Sequence, residues 1–336
     1  MINFLRKKII NSRDPKTISR TNSINLNNRI NLKYYLESFG SLNKDKIFYV
    51  IQRSPGGGLF SNLLFVLHHL YLAKKFNFVP VVDMENYPTI YNEKNSINNS
   101  FNAWEYYFEP VSKYPLKEVY KSQNVIITTK ETNNIKFFDG YKNLLKEHRD
   151  IFSKCIKIKK FLIKEKDIFF NKHFKNHRVL GVHFRGTDYK TMERHPLPAT
   201  KKQICKNIDL LIKKYKFDKI FLITEDKGYH EYLNKRYSNI INFSKIFTNK
   251  KQLFFENNIK NLRYKIGKEN IINMLLLANT NHILCIESNL SDAAIYFSKK
   301  KITVTKIFNG YNSNNIFIAQ FKWYIKKILP KFFGGI

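Results

Sequence analysis

The chain has little cysteine: Cys155, Cys205 and Cys285 in 336 residues, spaced too widely for a disulfide framework or a metal cluster. Such thiols fit a reducing compartment, so a cytoplasmic protein is expected. No apolar run approaches the ~20 residues that span a bilayer. The basic start, Met1–Ile10, has too short an apolar stretch to read as a signal peptide. Acidic residues are scarce, 26 against 59 Lys and Arg, and the resulting net charge of +33 invites a nucleic-acid or membrane reading. The lysines are spread over nearly the whole chain beside Asn and Ile, a pattern of compositional background. No specific nucleic-acid partner is therefore expected. There is no G-x-G-x-x-G or P-loop, and no Ser-His-Asp set in a nucleophile elbow, which removes support for hydrolase chemistry.

What is present is a long alternation of strands and helices. Residues 1–45 are polar and basic, a loosely ordered lead-in. Strands are expected at Lys46–Gln52, Phe78–Asp83 and Val125–Thr129, with helices over Asn62–Phe76 and Lys142–Lys164. Residues 86–110 form an aromatic loop region. After a polar stretch near 171–177 the alternation restarts, with strands at Val179–Arg185, Lys219–Thr224, Ile240–Ile246, His282–Glu287 and Ile302–Ile307. Helices are expected over Lys201–Tyr215, to about Arg236, over Lys268–Asn279 and over Leu290–Lys300. Repeated units of this length argue for parallel sheets in an α/β fold. The division expected is a lead-in (1–45), a Rossmann-like N-terminal domain on the acceptor side (46–170), a Rossmann-like donor-nucleotide domain (171–315) and a basic amphipathic C-terminal segment (316–336). That last segment reads either as a peripheral membrane helix or as a terminal helix docked on the protein.

Candidate site residues gather where strands end, since ligands of open α/β sheets bind beyond the carboxyl ends of the strands. Gly56-Gly57-Gly58 follows a strand and opens a helix, which suits close approach of an anion or simply a tight turn. Val179–His183 runs into His183-Phe184-Arg185-Gly186-Thr187-Asp188. Arg185 can neutralise a diphosphate, and a neutral His183 can hydrogen-bond a nucleotide. An exposed strand end with an Arg185–Asp188 salt bridge is the plainer account. Glu193 is a candidate general base for an acceptor hydroxyl, or a solvated loop residue. Glu225 and Asp226 end another strand; as one adjacent pair they make a poor metal site, and none is expected. Ser288, Asn289 and Ser291 read as helix-start residues that can also hold phosphate.

These residues together resemble the fucosyltransferase superfamily that carries the His-x-Arg-Arg-Thr/Gly-Asp motif, which includes the α-1,6-, nodulation, α-1,2- and protein O-fucosyltransferases. Gly56–Asn62 resembles the glycine-rich loop, and His183–Asp188 the signature. Phe221–Asp226, Asn273–Leu277 and Cys285–Asn289 resemble later donor-site blocks, so the likeness spans about residues 46–310. It implies a GT-B-like fold, two Rossmann-like domains facing across a cleft, and metal-independent, inverting transfer from GDP-fucose to a glycan hydroxyl, with no cofactor beyond the donor. By the same resemblance Arg185 binds the β-phosphate, His183 contacts the nucleotide, Ser288 and Asn289 hold phosphate, and Glu193 activates the acceptor. The chain departs from the pattern at three places. Gly186 replaces a second arginine, Asn273 stands where the α-1,6 enzymes have a guanine-contacting aspartate, and Tyr189 takes a lysine's place, with Lys190 next. The alternatives are a GT-B enzyme using another nucleotide sugar, and a non-catalytic glycan- or nucleic-acid-binding relative. The basic charge also suggests peripheral contact with an anionic inner-membrane surface.

Overall fold

The structure, a computed structural model, describes residues 21–26, 30–53, 56–129, 145–249, 254 and 259–336. The first 20 residues of the lead-in and the start of the helix expected from residue 142 lie outside them. The chain divides into two compact units, with the break between Lys159 and Lys160.

The first unit opens with an antiparallel hairpin, β1 (Thr21–Leu26) and β2 (Ile30–Tyr35). A parallel sheet follows, built from β3 (Phe48–Ile51), β4 (Val79–Val82) and β5 (Val125–Ile127) in the order β4-β3-β5. Helices α1 (Leu59–Lys75), α2 (Leu116–Val119) and α3 (Leu145–Cys155) complete the unit. Both faces of β3 are buried, as in a sheet covered on two sides. Phe48 and Val50 pack with Val81, Val119 and Val125 on one face. Tyr49 points to the other, where its hydroxyl meets His69 Nδ1 of α1 at 2.7 Å. His69 is thus a core histidine, and burial holds its pKa well below the usual range. The described part of the lead-in from residue 30 on packs against the sheet. Tyr34 is buried, and Glu37 exchanges backbone hydrogen bonds of 2.8 and 2.9 Å with Val125, which covers the edge of β5. In the aromatic stretch, Trp104, Tyr106, Tyr107 and Phe108 are core residues, with Trp104 and Phe108 stacked at 4.3 Å.

The helix expected over 142–164 is instead two. Residues 156–159 leave the helix because Glu109 N–H donates to Lys157 O and Lys159 N–H donates to Tyr107 O. The second helix, α4 (Lys160–His173), belongs to the second unit, where it packs on α7. This moves the division about ten residues ahead of the polar stretch at 171–177.

The second unit holds a five-stranded, wholly parallel sheet of β6 (Val179–His183), β7 (Lys219–Ile223), β8 (Ile240–Ile241), β9 (His282–Cys285) and β10 (Thr303–Lys306). Its order is β10-β9-β6-β7-β8. The helices are α5 (Lys201–Tyr215), α6 (Lys227–Arg236), α7 (Leu262–Leu277), α8 (Asn289–Phe297) and α9 (Ile316–Ile328). Leu180, Val182 and Phe184 share a core with Ile204, Ile208, Ile220, Leu222 and Leu284. On the opposite face, a Cβ at Gly181 would stand 2.5 Å from Leu277 Cδ1, so this glycine lets the end of α7 sit directly on the strand. α5 carries a full capping box, Thr200 with Gln203. The expected α/β class with parallel sheets is what the chain adopts.

Candidate functional site

The centre of the second sheet is its first strand. From β6 the chain moves to β7 and β8 on one side, and later to β9 and β10 on the other. Strand order therefore reverses at β6, which opens a crevice at the carboxyl ends of β6 and β9. The residues after β6, β7 and β9 meet there.

His183 closes β6 and is buried; its Nδ1 shares a 2.8 Å hydrogen bond with Ser291 Oγ, in the first turn of α8. Burial, helped by the nearby Arg185 charge, pulls the imidazole pKa down to about 3, so the ring is neutral at physiological pH. Ser288 is the N-cap of α8 and accepts from Leu290 N–H at 3.3 Å, while Asn289 is exposed at the helix start. A helix N-terminus with its unpaired amides and a neutral imidazole beside it is a polar, anion-tolerant corner.

Arg185 lies at the rim, its side chain one-third exposed (33%). Nη2 donates to both Asp188 oxygens, at 3.0 and 2.8 Å, and Nε stands 3.5 Å from Glu225 Oε1. The guanidinium also lies over the Tyr189 ring, 4.7 Å from its centroid. Thr187 Oγ1 donates to Glu225 Oε1 at 2.9 Å. The salt bridge foreseen between Arg185 and Asp188 forms, and it fixes the fork in one orientation. Burial pushes the Glu225 carboxyl above its usual range, against the lowering pull of Arg185.

Asp226 does something else. Its Oδ1 caps α6 by accepting from Tyr229 N–H at 3.0 Å, and its Oδ2 pairs with Lys190 Nζ at 3.0 Å. That pair occupies the space beside Gly186, where a Cβ would come within 2.7 Å of Asp226 Oδ2. A side chain at 186 would have to displace Asp226 from its cap on α6 and its pair with Lys190.

Glu193 is half-buried on the following loop, apart from the Arg185 cluster, and its carboxylate has no ion-pair or hydrogen-bond partner among the described residues. The loop is braced from the C-terminal segment. Asn312 Nδ2 donates to Met192 O at 3.1 Å, Arg194 N–H to Ser313 O at 3.2 Å, and Trp323 Nε1 to Pro198 O at 2.9 Å. Asn273 is buried on α7; its Nδ2 donates to Ser244 Oγ at 2.6 Å, and its Oδ1 has no partner among the described residues. It lies near the end of β8 rather than in contact with Arg185.

In the first unit, Gly56 has φ +103°, a conformation that favours glycine. A Cβ on Gly57 would stand 2.7 Å from Asn62 Oδ1, and Gly58 is the N-cap of α1. Arg53 was not singled out from sequence. Its Nη2 donates to Ser61 Oγ at 2.9 Å, its guanidinium lies 4.6 Å from the Phe65 ring centroid, and its Nε is buried without a partner among the described residues. An arginine three residues before a glycine run, at a strand end, was the available signal. Among the described residues no group of His, Cys, Asp and Glu is placed to hold a metal ion.

No family model matches the chain, and no curated protein matches it. Solved structures do. NodZ, the fucosyltransferase from Bradyrhizobium, in its form co-crystallized with GDP as an α-1,6-fucosyltransferase, matches with a TM-score of 0.50 at 15% identity, over 74% of this chain and 91% of its own. That likeness places the chain in the α/β, GT-B-like fold class. POFUT1 in its apo form matches with a TM-score of 0.47 at 10% identity, over 80% of this chain and 99% of its own. FUT1 of Arabidopsis thaliana, in complex with GDP, gives 0.47 at 10% identity, over 82% and 73%.

Proposed function

We propose that the chain is a glycosyltransferase that moves fucose, or a closely related sugar, from a GDP-sugar to a glycan hydroxyl. The observation that carries this reading is the placement of Arg185, bonded to Asp188, and a neutral His183, bonded to Ser291, at the strand-order reversal beside the N-terminus of α8. A leaving diphosphate needs donors fixed in advance where charge develops, and these groups are fixed. In the proposed step the bond from the anomeric carbon to the diphosphate breaks while the acceptor oxygen attacks from the opposite face, inverting the centre. Glu193 takes the acceptor proton, and Arg185 with the α8 amides receives the diphosphate charge, without a metal. Donor binding exchanges part of the Arg185–carboxylate contact for phosphate oxygens. Glu225, already raised by burial, is the carboxylate that gives way most readily. Asn273 Oδ1, a buried acceptor lacking a donor among the described residues, suits an N–H of guanine. Three free thiols keep a reducing, cytoplasmic setting as the proposed compartment.

The test is thermal stabilisation by GDP, UDP and ADP, followed by transfer from GDP-fucose to galactose, N-acetylglucosamine and peptide acceptors. GDP at 100 times its Kd should stabilise by about 2.7 kcal/mol. A larger shift with UDP would redirect the reading to another nucleotide sugar. Gly186 favours a second reading, a binding protein without turnover, because the Asp226–Lys190 pair fills the neighbourhood of the missing arginine. GDP binding with neither transfer nor slow hydrolysis of GDP-fucose would select it.

A further inference from the structure

We propose that α9 and the aromatic turn after it form an interfacial anchor that lays the protein on an anionic lipid surface. The inference is independent of which donor the second unit takes. One side of α9 faces the protein. Ala319 and Trp323 are buried, Trp323 Nε1 bonds Pro198 O, and Gln320 Nε2 donates to Thr191 O at 3.3 Å. The opposite side is apolar and uncovered. Phe317 (77% exposed), Phe321 (64%) and Ile328 (80%) line up at spacings of four and seven, with Ile318, Tyr324 and Ile325 beside them. Phe332 and Phe333 continue this exposure past the helix, 92% and 69% open. Single exposed apolar residues need no explanation, but a continuous stripe does.

Charge decides what covers the stripe. From residue 293 to 336 the chain has eight lysines and not one Asp or Glu. By helical spacing Lys322 and Lys326, whose Nζ atoms donate to Tyr311 O at 2.8 Å and Asn309 O at 3.4 Å, lie on one flank of the stripe. Lys327, over the Trp323 ring, lies on the other, so an apolar face bordered by cations points away from the protein. An in-plane interfacial helix has this arrangement, with aromatic and aliphatic side chains in the acyl boundary and lysines at the phosphates. A two-fold contact with a second copy would bring the same lysine flanks together with no acid on the segment to pair them. Among the described residues no helix is long and apolar enough to cross a membrane, so the contact proposed is peripheral.

The test is flotation of the full chain with vesicles of phosphatidylcholine alone or mixed with phosphatidylglycerol, at low and high salt. Wild type should float with the mixed vesicles and keep a salt-resistant fraction. The charge-neutral variant Phe317→Ser/Phe321→Ser/Ile328→Ser should partition at least about tenfold less. Lys299→Gln/Lys300→Gln/Lys301→Gln removes as many charges as the first variant removes apolar groups, away from the helix, and should keep the salt-resistant fraction. Should the first variant fold poorly, Phe332→Ser/Phe333→Ser in the exposed turn gives the same reading. Equal flotation of serine variants and wild type overturns the proposal. So does a wild-type dimer that the serine variant converts to monomer, since a second copy would then own the face.

Discussion

The parallel sheet of each unit starts on its central strand, and both place a turn where strand order reverses, yet the two edges are finished differently. At the first, the ends of β3 and β5 are stitched together: Gln52 N–H donates to Thr128 Oγ1 at 2.9 Å, and Thr129 Oγ1 to Gln52 Oε1 at 2.7 Å. Gln52 Nε2 and Tyr120 both donate to Asp83, which is wholly buried and also accepts from the backbone of Glu85 and Asn86. The donors and acceptors of Gln52 and Asp83 are thus satisfied internally, while the neighbouring Arg53 keeps a buried Nε without a partner among the described residues. At the second edge the His183–Ser291 bond ties β6 to α8, Thr187 bonds Glu225, and a partly exposed guanidinium stands at the rim against Asp188. The same topology thus yields one edge spent on holding strands together and another with charge left for a ligand.

Substitutions can break this contrast. The largest expected effect is on turnover: Arg185→Ala should lower kcat/KM for transfer by about 10²–10³ with the fold retained. Arg53→Ala should lower it far less; equal losses would mean that both edges act on the diphosphate. Next is Asp83→Ala, which strands several buried donors and should cost about 3 kcal/mol in urea unfolding. Its folded fraction should bind GDP as wild type does. Gly186→Arg, which places a second arginine in the turn, should destabilise by about 1–3 kcal/mol rather than tighten GDP binding, because its Cβ meets Asp226. Tighter binding without destabilisation would refute the packing argument.

The last effect is on pH dependence, where the readout is a slope per pH unit. The folded His183 refuses a proton until about pH 3, whereas an unfolded histidine takes one near 6.5. Protons therefore favour the unfolded state as pH falls from 6.5 towards 3, and nothing is lost above 6.5. Wild type should lose stability across that window more steeply than His183→Asn, by at most about 1.4 kcal/mol per pH unit. Parallel acid profiles would show that His183 is not buried neutral.

Much of this was legible in the chain because burial on both faces leaves a short run that is apolar but for a residue at one end. Val179–His183 and Lys219–Ile223 are found where their patterns place them, and α5 spans Lys201–Tyr215 as expected. Boundaries failed where a partner distant in sequence intervened. The strand expected over Ile240–Ile246 shrinks to two residues, and the long helix before residue 164 breaks at backbone bonds to Tyr107 and Glu109. Of the site, the cluster of His183, Arg185, Asp188, Glu225 and Ser291 comes together, while Glu193 and Asn273 stand apart from it. Glu225 and Asp226, alike as neighbours in sequence, divide into a partner of Arg185 and a helix cap.

Residue order by itself determined the parallel α/β class, the charged turn after Val179–His183 and the apolar, lysine-rich end, because side-chain period and composition are local properties. Only the tertiary structure decided which carboxylate meets Arg185, what a side chain at position 186 would displace, and that the stripe on α9 faces outward. Each of those depends on which residue, tens of positions away, occupies the neighbouring few ångströms.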